Sequence, residues 1–105
     1  MFRVGDKVKV VNLSESRAGD IEADLQMDLD EGVIKEKTYE KIYDIMTEIM
    51  EDNSPVLTVC EVDAYPVING DIFENDNVDE TNYFLRLGRL NLRCCFRESE
   101  LQKHE

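Results

Sequence analysis

Residues suited to acid–base catalysis are scarce in this chain. There is a single histidine, His104, at the penultimate position. A Ser-His-Asp or Cys-His arrangement needs a firmly held base, and a histidine in a fraying tail is a poor one. No glycine-rich phosphate loop is present. No apolar run approaches the roughly 18 residues of a membrane span. The opening "MFRVGDKVKV" is charged and alternating, unlike the continuous apolar core of a signal peptide. The three cysteines, Cys60, Cys94 and Cys95, are an odd number. Cys94 and Cys95 are adjacent, so on a strand they face opposite ways, and they lack zinc spacing. Reduced thiols in a cytosol are the expectation. Basic residues are also few, 12 against 24 acidic ones, for a formal net charge of −12. Phosphate binding draws on lysine and arginine, so direct nucleic-acid binding is not expected. Arg86, Arg89, Arg93 and Arg97 would form a small basic strip on the last hairpin, and partnering with local acids is their expected use.

What is present suits one small domain, residues 1–105, with a modest core: 42% of the chain is hydrophobic. "FRVGDKVKVVN" reads as a strand over about residues 2–12, with a Gly5-Asp6 bend. Residues 13–54 read as an acidic loop and a helical insertion. The stretch to residue 32 is polar, with at most a short helix around Ile21–Leu29. After it, Ile34, Tyr39, Ile42, Tyr43, Ile45, Met46, Ile49 and Met50 follow the 3.6-residue period, which predicts one long amphipathic helix over 33–51. "DNSP" ends it, because proline cannot continue a helix. Strands follow at about 55–68 and 82–97, the second a pair turning at Gly88-Arg89. In that pair Leu90, Leu92, Cys94 and Phe96 alternate with polar residues, an inside–outside pattern. Cys60 and Cys94 read as small core residues, and Leu101 as the last core anchor. An acidic loop fills 69–81.

The charge is unevenly spread. Residues 55–80 hold seven acids and no base, and residues 13–32 seven acids and one base. On the predicted helix Glu36, Glu40, Asp44 and Glu48 follow at i,i+4 and form one row. Like-charge pairs at that spacing cost about 0.2–0.5 kcal/mol each, partly offset by Lys37 and Lys41. A self-repelling row is not chosen for helix stability, and a basic partner would relieve it. An ordinary solvated face is the competing account. In the loop, Asp71, Glu74, Asp76, Asp79 and Glu80 cluster without the glycine and ligand spacing of an EF-hand. No cofactor or metal is expected, the weak alternative being a calcium site at Asp71, Glu74, Asp76 and Asp79.

"FRVGDKVKVV", "PVLTVCEVD" and "YFLRL…LRCCFRESEL" resemble the small SH3-like barrel domains of bacteriophage and mobile-element proteins. The resemblance covers about half of the chain. It implies an α+β fold: a small, strongly bent antiparallel SH3-like sheet carrying the inserted helix. In size and charge the chain is also similar to the anti-CRISPR inhibitors. That likeness implies a non-catalytic inhibitor, a DNA mimic acting as monomer or homodimer on a basic nucleic-acid-binding protein such as a CRISPR effector nuclease of the Cas9 type. Its contact residues would be Glu36, Glu40, Asp44 and Glu48 with the loop acids Asp71, Glu74, Asp76, Asp79 and Glu80. The alternative is a phage or mobile-element structural or adaptor protein, with the Ile/Tyr/Met stripe as its protein–protein interface.

Overall fold

Two helices, rather than one, pack with a five-stranded antiparallel sheet. The computed structural model describes residues 1–64 and 81–104. Their order is β1 (Lys7–Val10), α1 (Glu15–Asp30), α2 (Glu36–Met50), β2 (Leu57–Ala64), β3 (Thr81–Leu87), β4 (Leu90–Arg97), a 3₁₀ turn (Glu98–Glu100) and β5 (Leu101–Lys103). The sheet order is β4-β3-β2-β1-β5, with every neighbour antiparallel. The fold class is therefore α+β, as expected. No helix among the described residues is long and apolar enough to cross a membrane.

The first strand is shorter than expected because the Gly-Asp bend interrupts it. Gly5 takes φ +96, a conformation that favours glycine. The Asp6 amide donates to the Arg3 carbonyl at 2.9 Å, which closes the turn. Alternation then buries Val8 and Val10 between the exposed Lys7 and the half-buried Lys9. Two features at the chain's end also differ from the expectation. Residues 101–103 form a strand beside β1, pairing Val10 with Leu101 and Val8 with Lys103. The His104 amide continues that ladder to the Lys7 carbonyl at 2.8 Å, so its backbone is held rather than frayed.

The main correction is α1, sixteen residues long where a polar loop with at most a short helix is expected. Gly19 and four aspartates lower its helix propensity. Three things offset this. Ser14 caps the start, its Oγ accepting from the Arg17 amide at 3.1 Å. Ala18, Ile21 and Leu25 form a narrow buried stripe. Arg17 donates from Nε and Nη2 to the two Glu100 carboxylate oxygens at 2.8 and 3.1 Å, and from Nη2 to the Cys95 carbonyl at 2.9 Å. That fork ties α1 to the end of β4 and to the 3₁₀ turn. The Glu100 hydrogen bond holds the guanidinium's pKa above its ordinary value, against the opposing effect of burial.

Both helices end in the same motif with different residues. In α1 the amides of Gly32 and Val33 return to the Leu29 and Asp28 carbonyls at 3.1 and 2.8 Å. In α2 the amides of Asp52 and Asn53 return to those of Ile49 and Glu48 at 3.0 and 2.9 Å. These are Schellman ends, which need a left-handed residue. Gly32 supplies it at φ +77, and Asp52 supplies it at φ +64.

On α2 the side chains of Ile42, Ile45, Met46 and Ile49 are buried, as the periodicity predicts. They join Val8, Leu57, Val59, Tyr83, Leu85 and Phe96 in one core cluster to which both helices and all five strands contribute. In β2 the alternation shifts at Cys60. Val59 pairs with Leu85, but Glu61 pairs with Phe84 and Val62 with Tyr83. This one-residue bulge turns Glu61 outward and Val62 onto the core, where strict alternation would bury the carboxylate. It also leaves Cys60 half-buried rather than in the core, with its Sγ 3.3 Å from the Phe84 carbonyl. A second irregularity lies between β3 and β4, where Arg93 takes φ +63.

Candidate partner-binding surface

The four helix acids are where the period puts them. Glu36, Glu40, Asp44 and Glu48 are all exposed on α2. None makes an ion pair or side-chain hydrogen bond among the described residues, and neither do Lys37 and Lys41. The expected offset from these lysines therefore acts only at a distance. The loop acids Asp71, Glu74, Asp76, Asp79 and Glu80, and with them the candidate calcium site, lie outside the described residues, as do 65–68 of the expected strand. Among the described residues no cluster of three or more His, Cys, Asp or Glu is arranged to hold a metal ion.

α1 carries further exposed acids. Because residues 15–30 are helical, Asp20 and Asp24 also stand at i,i+4, with Glu22 on another side of the helix, and none of the three makes an ion pair among the described residues. α1 and α2 are joined by only five residues, 31–35, and touch through the Tyr39 hydroxyl, which donates to Gln26 Oε1 at 3.2 Å. The signal was the acid excess of residues 13–32, and it acquires geometry only once that segment is helical.

Of the four hairpin arginines, Arg93 meets an acid and Arg86 a backbone carbonyl. Arg93 Nε lies 3.3 Å from Asp28 Oδ2, and Arg86 donates to the Gly88 carbonyl at 2.8 Å. Cys94 is buried, and burial pushes its thiol up to about 12. Such a thiol stays protonated and is a poor nucleophile at neutral pH. Tyr83 is also buried. Its hydroxyl accepts from the Phe2 amide at 3.1 Å and donates to Glu98 Oε1 at 2.9 Å. Burial raises the phenol's pKa, the Phe2 hydrogen bond opposes that, and Glu98 adds to it.

An open pocket of about 370 Å³ lies where α2 ends. Residues 11–14 leaving β1 line one side, and Ile49, Met50 and Asp52 the other. Sequence patterning does not mark it, because its two walls are some forty residues apart.

No family model matches the chain, and neither curated proteins nor solved structures give a match.

Proposed function

We propose that this protein is a non-catalytic acidic inhibitor of the anti-CRISPR kind, working in the bacterial cytoplasm. It binds the nucleic-acid-binding surface of a host defence nuclease, with a CRISPR effector nuclease of the Cas9 type as the first target to test. The observation that carries the reading is the exposed row Glu36, Glu40, Asp44 and Glu48, none of it ion-paired among the described residues. At ~1.5 Å per residue the row places one charge every ~6 Å. A single DNA strand places one every ~3.4 Å of axis. The row alone is sparser than a strand, so Asp20, Glu22 and Asp24 of α1, and the acids Asp71, Glu74, Asp76, Asp79 and Glu80, are needed to approach DNA's charge density.

We also infer that residues 1–105 form one domain whose sheet is an SH3-like barrel with an α-helical hairpin inserted after its first strand. Supporting this are the four-strand meander, the return of β5 beside β1, the 3₁₀ turn between β4 and β5, and the bulges that bend the long strands. In the adaptor alternative the Ile/Tyr/Met stripe would act through Tyr39, Tyr43 and Met50, since Ile42, Ile45, Met46 and Ile49 are in the core.

The test is capture of a Cas9-type ribonucleoprotein by the tagged protein at low and high salt, with and without bound DNA. Salt-sensitive capture that DNA abolishes supports the reading. The Glu40→Lys/Asp44→Lys/Glu48→Lys variant, folded as judged by circular dichroism, is expected to lose both capture and inhibition. Normal inhibition by that variant would refute the helix face as the mimic.

A further inference from the structure

We propose that the pocket at the C-terminal end of α2 receives an apolar side chain carried on a cationic segment of the partner protein. This rests on the acidic-surface reading above and adds an anchor to it.

Val11 and Met50 line the pocket and remain 43% and 37% exposed, so its apolar wall is open to solvent. Leu13 and the buried Ile49 also line it, together with the polar Asn12 and Ser14. Asp52, the left-handed residue just past the end of α2, lines the pocket and puts a carboxylate at its edge. Glu51 beside it is exposed. The last turn of α2 has no basic residue, so the negative end of the helix adds to these carboxylates rather than being neutralised. Among the described residues no lysine or arginine lines the pocket. Apolar wall and negative rim together fit a leucine- or methionine-sized side chain flanked by lysines or arginines.

Two other occupants fit less well. The N-terminus of α1 opens nearby and would favour an anion, but Ser14 caps it and Glu15 stands in its first turn. A second copy of the chain would bring a like charge of −12 to an already acidic face.

The test measures binding of three labelled synthetic peptides to the full chain by fluorescence anisotropy, at low and high salt. One is lysine-rich with a central leucine, one replaces that leucine with serine, and one keeps the leucine in an uncharged glycine-serine peptide. The leucine peptide is expected to bind roughly tenfold more tightly than its serine counterpart. Val11→Ser/Met50→Ser should erase that preference while leaving the serine peptide's salt-sensitive binding intact. Equal binding of the two cationic peptides overturns the pocket and leaves the acidic surface standing. Equal binding of the uncharged and cationic leucine peptides overturns the charge requirement. Absence of binding by either cationic peptide at low salt sinks both this inference and the surface reading. Self-association that disappears in Val11→Ser/Met50→Ser identifies a second copy as the occupant and refutes the proposal.

Discussion

Replacing Arg17 with alanine should unfasten α1. Glu100 is 4% exposed and accepts from Arg17 Nε and Nη2, as well as from the Arg97 amide at 2.8 Å. Without the guanidinium the buried carboxylate loses its ion pair, and the Cys95 carbonyl loses its Nη2 donor. Breaking a buried pair by removing one member costs about 3–5 kcal/mol. The surviving Arg97 amide and the partial exposure of Arg17 put the expected loss at the lower end, about 3 kcal/mol. That is a large share of the ~5–15 kcal/mol that stabilises a typical domain. At an m value of ~1.5 kcal/mol/M, the urea midpoint should fall by about 2 M. The assay is urea denaturation followed by far-UV circular dichroism. Glu100→Gln should cost less than Arg17→Ala, because a neutral amide needs no counter-charge. Arg17→Met/Glu100→Leu should recover most of the loss, since an apolar pair of similar volume removes the desolvated charges together. If Arg17→Ala shifts the midpoint by less than ~0.3 M, equivalent to under about 0.5 kcal/mol, the fork does not anchor α1 and the account of that helix is wrong.

Other consequences follow from the two left-handed helix ends and the buried thiol. Asp52→Gly relieves a non-glycine residue at φ +64 and removes an acid from the negative end of α2. It should stabilise by about 0.5–1 kcal/mol, raising Tm by about 3–6 °C in a calorimetric scan. The same substitution should weaken binding of the cationic leucine peptide, whereas a lower Tm would show that Asp52 is not strained. Cys94 is protonated in the fold with its pKa raised to about 12. Its contribution is therefore complete below the unfolded thiol's ordinary value, near ~8.5, and is lost as pH rises towards 12, at up to ~1.4 kcal/mol per pH unit. The raised phenol of Tyr83 adds to the loss at high pH. Urea midpoints measured from about pH 8 to 11 should converge between the wild type and Cys94→Ala. A constant gap across that range would mean the thiol does not titrate with unfolding.

The sequence carried the parts of this fold that repeat. Ile42, Ile45, Met46 and Ile49 fall at helical spacing and are buried. Leu92, Cys94 and Phe96 alternate with polar neighbours and are buried. The acid row on α2 was legible for the same reason, since a regular helix converts i,i+4 spacing into one line of side chains. The bulge at Cys60 was not legible, because a single extra residue reverses the inside–outside pattern without changing composition.

What composition and periodicity determined by themselves was the class: an α+β chain with strong acid excess, an amphipathic helix and alternating strands. Tertiary structure decided the rest. α1 contains Gly19 and four aspartates and has a stripe of only three buried residues. It is helical because Arg17 meets Glu100, from the far end of the chain, at 2.8 Å and because Ile21 and Leu25 find the core. β5 is too short to announce itself and exists by pairing with β1. The pocket brings residue 11 beside residue 50. Each of these rests on contacts between distant parts of the chain, whose free energy is gained only when both partners arrive, and local spacing carries no record of that.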